Sequence, residues 1–161
     1  MENSSAGRQK LAEQVEVLQA VTRILAGVAL RSMEVLHGAA TLPQFRLLAV
    51  LAEGTASRSS EVAGALGMDA SSVTRLADRL VARGYVARSS DPRHRSVVNL
   101  TLTPVGRNLV SQVEHWRQAE LARIIGRLAP GDRTVITTTL RQLMDAAGEG
   151  YGVALDPSVP M

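Results

Sequence analysis

Apolar residues near the start of the chain recur at Leu11, Val15, Leu18, Leu25, Val28, Ala29, Met33 and Leu36, with Thr22 as a gap. That spacing follows one face of a helix and predicts a first helix of about seven turns. After Gly38 the pattern restarts in "TLPQFRLLAVLAEG". Thr41 can cap, Pro43 suits the first turn, Phe45, Leu48 and Leu51 share a face, and Gly54 ends a second, shorter helix.

In "SRSSEVAGALGMDASSVTRLADRLVARGY", Ser59 or Ser60 can cap a short third helix carrying Val62, Ala63 and Leu66, which Gly67 stops in the left-handed conformation. Asp69 caps again, and Val73, Leu76, Ala77 and Leu80 mark one face of a fourth helix ending at Gly84. Two short helices separated by "GMD" form a helix-turn-helix.

Next, "YVARS" reads as a strand and "SVVNLTLT" as its partner, with Val98, Leu100 and Leu102 on one side and Val97, Asn99 and Thr101 on the other. Thr103 caps and Pro104 opens a long fifth helix marked by Val105, Leu109, Val113, Trp116, Leu121, Ile124 and Leu128. "APGD" interrupts it, and Val135, Ile136, Leu140, Leu143 and Met144 mark a sixth. Residues 1–10 read as a flexible N-terminus and the Gly- and Pro-rich 148–161 as a loose tail. Between them lies one unit, 11–147, with a lobe at 41–103 between long helices at 11–38 and 104–147.

Composition agrees with helices: 45% of the 161 residues are hydrophobic but only 2% aromatic, so Leu, Val, Ile and Ala must build the core. The absence of cysteine removes disulfides, thiolate metal sites and thiol redox sensing. With a polar N-terminus and no stretch approaching the ~18 apolar residues of a membrane span, a soluble cytoplasmic protein without a membrane partner is expected. His37, His94 and His115 lack ligand-like spacing, so neither metal nor cofactor is expected. Nothing resembles a phosphate loop, a nucleophile elbow or another catalytic motif, and no enzyme is expected.

Charge changes the picture more. From Arg58 to Arg107 there are eight arginines against four acids, an excess of four positive charges. With +3 overall, the remainder stands at minus one. A basic middle made only of arginine fits a polyanion partner.

The order of helix, helix, helix-turn-helix, hairpin, long helix, helix describes a mainly α (α+β) fold, a winged helix-turn-helix embraced by terminal helices. Together with "LPQFRLLAVLA", "SEVAGALGMDASSVTRLADRLVARGYVAR" and above all "DPRHRSVVNLTLTPVGR", it resembles the multiple antibiotic resistance regulator (MarR) family of transcription factors over roughly Leu11 to Ala147. The resemblance implies a homodimeric repressor of an inverted-repeat operator in double-stranded DNA, relieved by a small, often aromatic or anionic effector. It implies that the terminal helices dimerise, which their apolar faces also ask for, since a small lobe cannot bury them. His94 departs from the family, where an acidic residue is common, and makes the wing more basic when protonated.

On the fourth helix, turning Val73, Leu76 and Leu80 inward sets Ser71, Arg75, Asp78 and Ala82 outward, flanked by Ser72 and Thr74. Ser71, Ser72, Thr74, Arg75 and Arg79 are thus the candidate major-groove residues. In the wing, Arg93 and Arg95 suit the electronegative minor groove, with Asp91 orienting an arginine, Pro92 stiffening the turn and His94 beside them. Arg58, Ser60 and Arg88 are candidate backbone contacts. Met33, His37, Phe45, Arg46 and Trp116 are candidates to line an effector cleft. Two other readings stand beside this one: a winged helix that binds protein, which predicts an apolar or acidic fourth helix, and a DNA-binding protein that needs no ligand.

Overall fold

The computed structural model describes residues 2–54, 57–90 and 98–148. Its helices are α1 (Glu2–Arg31), α2 (Leu42–Ala52), α3 (Ser59–Leu66), α4 (Ala70–Ala82), α5 (Pro104–Ile125) and α6 (Pro130–Ala147), with strands β1 (Val86–Ser90) and β2 (Val98–Leu102) between α4 and α5. None of these helices is long and apolar enough to cross a membrane.

The core lies in the lobe formed by α2, α3, α4, the hairpin and the first half of α5. Leu47 and Leu48 of α2, Val62 of α3, Val73 and Leu80 of α4, Leu100 of β2 and Val113 of α5 are all fully buried. Each such side chain contributes on the order of 1.5–3 kcal/mol relative to exposure, which holds two helices too short to be stable alone. At the turn between them, left-handed Gly67 lets the Met68 N–H reach back to Ala63 O at 3.0 Å. Asp69 then starts α4 by accepting the Ser72 N–H at 2.8 Å.

The strands pair antiparallel with Val86 opposite Leu102 and Arg88 opposite Leu100. Ser57 and Arg58 lie alongside β2, with the Leu100 N–H donating to Ser57 O at 2.8 Å. Thr103 ties the base of the hairpin to α5: its hydroxyl accepts the Gly106 N–H at 3.1 Å and donates to Gly84 O at 2.7 Å. Gly106 has no room for a side chain, because a Cβ there would stand 2.1 Å from the Tyr85 carbonyl oxygen.

Three local expectations need correction. The first helix begins at Glu2 rather than Leu11, although Glu2 to Lys10 lacks an apolar stripe and includes Gly7. Its α-helical part ends at Arg31 and continues as a 3-10 turn, Ser32–Leu36, where the Ser32 hydroxyl donates to Ala29 O at 2.6 Å. Neither Ser59 nor Ser60 caps α3. Glu61 does so from inside, its Oε2 accepting the N–H groups of Arg58 and Ser57 at 3.0 and 3.2 Å.

The terminal helices are built differently from the lobe. Every residue of α6 is exposed, including Ile136, Leu140 and Leu143, which share one face. On α1, Leu11, Val15, Leu18 and Leu25 form a second exposed stripe.

Candidate nucleic-acid interface

Burial of Val73, Ala77 and Leu80 fixes the rotation of α4 and leaves Ser71, Thr74, Arg75, Asp78 and Arg79 exposed, with Ser72 half-buried. The first turn is tied together by one carboxylate. Asp69 Oδ1 accepts both the Ser71 hydroxyl at 2.6 Å and the Ser72 N–H. The Ser71 and Ser72 side chains, then the Ser72 amide, hold the Asp69 carboxyl well below the usual carboxylate range. Thr74 Oγ1 donates to Ala70 O at 2.8 Å, and Arg75 Nη2 donates to Ser72 Oγ at 3.1 Å. Chemically, the face offers a hydroxyl row followed by guanidinium donors, the side chains that meet phosphates and base edges.

The arginines around this face divide into two kinds. Arg75 and Arg79 project from it, whereas Arg88 on β1 pairs with Asp78 and donates through Nη2 to Thr74 O at 3.3 Å. Arg83 turns away from the acids and donates to Ala39 O at 2.7 Å. Arg58 stays exposed at the hairpin base, 3.8 Å from Glu61, whose own carboxyl is pulled down chiefly by the Arg58 and Ser57 amides. Ser60 is exposed beside it. Asp91, Arg93, His94 and Arg95 lie outside the described residues. The Asp78–Arg88 pair escaped sequence reasoning because it depends on strand register against a helix face; only the opposite charges were legible.

A family model for the MarR family matches residues 41–95. The HTH-type transcriptional repressor MdtR of Bacillus subtilis is 30% identical over 130 residues, spanning 81% of this chain and 83% of MdtR. The chain belongs to the MarR family. It is a MarR-family transcriptional regulator with the winged helix expected from its sequence. The crystal structure of RV1404 from Mycobacterium tuberculosis superposes with a TM-score of 0.77 at 31% identity, covering 84% of this chain and 92% of RV1404. FabT of Streptococcus pneumoniae, whose structure is a complex with DNA, has a TM-score of 0.69 at 21% identity over 82% of this chain and 95% of FabT. That last likeness carries the fold alone.

The five residues expected to line one effector cleft have different surroundings. Phe45 is buried in the lobe, with the Arg117 guanidinium 5.2 Å above its ring, and Arg46 reaches Leu66 O at 3.4 Å on the end of α3. Met33 packs against the core, and His37 sits exposed at the end of the 3-10 turn with φ of 46°. Trp116 borders an open hollow, of about 630 Å³, with Val35, Asn108, Ser111, Gln112 and His115. Arg117 Nε donates to the buried Ser32 hydroxyl at 2.8 Å; burial lowers the Arg117 pKa, and nearby Glu114 opposes that.

Proposed function

We propose that this MarR-family regulator is a cytoplasmic homodimeric repressor that reads an inverted repeat in double-stranded DNA and releases it when a small ligand binds. The observation that carries the reading is the outward face of α4, polar and cationic through Ser71, Thr74, Arg75 and Arg79 while its opposite face is locked into the core. That face enters the major groove, with Arg75 forking onto a guanine. The same face disfavours a protein-binding module, which needs an apolar or acidic surface there.

Exposed apolar stripes on α1 and α6 support dimerisation, since water contact at so many Leu, Val and Ile positions is costly. A two-fold dimer places its α4 helices on half-sites about one helical turn apart. Arg93 and Arg95 at the wing tip follow the backbone into the minor groove, with Asp91 orienting one of them and His94 adding charge when protonated. Arg58 and Ser60 contact the flanking backbone. The hollow beside Trp116 is of a size that suits a small aromatic or anionic effector, between the dimer helices and the lobe.

The test is a fluorescence-anisotropy titration of duplex DNA from upstream of the protein's own coding region, against a scrambled duplex of equal length. A preference of roughly a thousandfold or more for the native duplex is expected. Arg75→Ala should lose about 10- to 100-fold on that duplex alone, and Arg93→Ala should weaken both. Equal, weak binding to both duplexes that vanishes with salt overturns the reading.

A further inference from the structure

The bonds in the first turn of α4 limit what its face can ask of a base. A serine hydroxyl ordinarily reads either kind of base edge, because its O–H can rotate to donate or accept. The Ser71 proton is already committed: it lies on Asp69 Oδ1 at 2.6 Å, an oxygen held in place by the Ser72 N–H at 2.8 Å. The acceptor is an ionised carboxylate, so the bond is charge-assisted and strong. What remains exposed on Ser71 is an oxygen with lone pairs.

In the major groove the hydrogen-bond donors are the N4 amino group of cytosine and the N6 amino group of adenine, while guanine and thymine present O6, N7 and O4 as acceptors. We infer that Ser71, with its proton taken by Asp69, is a specificity-determining residue that selects an amino base, adenine or cytosine, over guanine or thymine on the strand it faces. This rests on the DNA-binding reading and deepens it by stating which base chemistry the helix accepts. Arg75 asks for the opposite. Its guanidinium has donors only, which suit the paired acceptors of guanine. The two residues lie one helical turn apart, about 6 Å along the axis, or close to two base steps of ~3.4 Å. The half-site therefore carries a guanine and, about two steps away, an amino base. Each base pair holds one amino and one keto partner in this groove, so Ser71 decides which strand carries which.

The experiment is selection from a randomised duplex pool followed by sequencing, using the full chain as wild type, Arg75→Ala, Ser71→Ala and Asp69→Gly. Glycine is a tolerable helix cap, so Asp69→Gly frees the Ser71 proton with little loss of helix, and Ser71 is exposed and can be truncated safely. Base preference is the readout because a general loss of affinity does not alter it. Wild type should favour adenine or cytosine about fivefold at one position. Ser71→Ala and Asp69→Gly should both flatten that position and keep the guanine preference, which only Arg75→Ala removes. An amino-base preference that survives Ser71→Ala but is lost in Asp69→Gly overturns the inference, because Asp69 itself would then read the base. Enrichment that depends on Arg75 but ignores Ser71 overturns this inference alone, and a pool in which wild type enriches nothing overturns it together with the DNA-binding reading.

Discussion

Replacing Arg88 and Asp78 together by alanine separates two roles for Arg88 that sequence alone cannot distinguish. The pair joins β1 to the outward face of α4, and Arg88 adds a second bond to Thr74 O. The side chains are 34% and 54% exposed, so water screens the attraction and its contribution to folding is about 0.2–1 kcal/mol. A urea-melt double-mutant cycle should return a coupling in that range. The larger consequence is for DNA. Each phosphate neutralised by a basic side chain adds about 0.9 to the slope of log K against log salt. An Arg88 spent on Asp78 adds none, since the pair is neutral as a unit. The double variant should therefore keep the wild-type slope, measured by anisotropy over several salt concentrations, with a small loss of affinity. Arg88→Ala alone should weaken binding to all sequences more than the double variant does, because it leaves the Asp78 carboxylate uncovered on the DNA-facing side. A slope reduced by about 0.9 per protomer in the double variant would mean that Arg88 reaches a phosphate, and the brace would be refuted.

Gly106→Ala places a methyl group against the Tyr85 carbonyl, which is backbone and cannot swing aside. A loss of about 3 kcal/mol, read as a fall of roughly 10 °C in Tm, is expected, whereas Gly64→Ala on the open face of α3 should be neutral or stabilising by up to ~1 kcal/mol; equal melting points for the two would contradict the packing described. The depressed Asp69 pKa means that the unfolded chain takes up its proton at higher pH than the folded one. Its stabilising effect is full above the ordinary value of 3.8 and is lost as pH falls below it, so urea melts between pH 5 and 3 should fall less steeply for Asp69→Gly than for wild type. Leu140→Glu with Leu143→Glu puts charge on the exposed apolar face of α6 and should convert a dimer to a monomer in multi-angle light scattering; a persistent dimer would move the interface elsewhere.

The parts of the fold that were legible in the sequence are those set by near neighbours. Asp69 and Thr103 cap their helices by accepting the N–H three positions on, the Thr41 N–H donates to Gln44 Oε1 three positions on, and Gly67 turns α3 into α4 within one bond pattern. The exposed half of α4 followed from the apolar period, because burial of Val73, Ala77 and Leu80 leaves one rotation. Features that depend on distant partners were not legible. The break after Arg31 is held by Arg117 from α5, and the neutralisation of Asp78 depends on which way β1 presents Arg88. Of the residues expected to line an effector cleft, Phe45 is buried in the core and Trp116 borders the hollow, a division that depends on how α2 and α5 pack and not on local pattern.

Reading of an inverted repeat through α4 is tested by a nuclease footprint across the region upstream of the protein's own coding sequence, with wild type and Arg75→Ala at equal concentration. Two protected half-sites related by a dyad, about one helical turn apart, are expected with wild type and should disappear with Arg75→Ala. Protection spread evenly along the fragment, unchanged by that substitution, would contradict it.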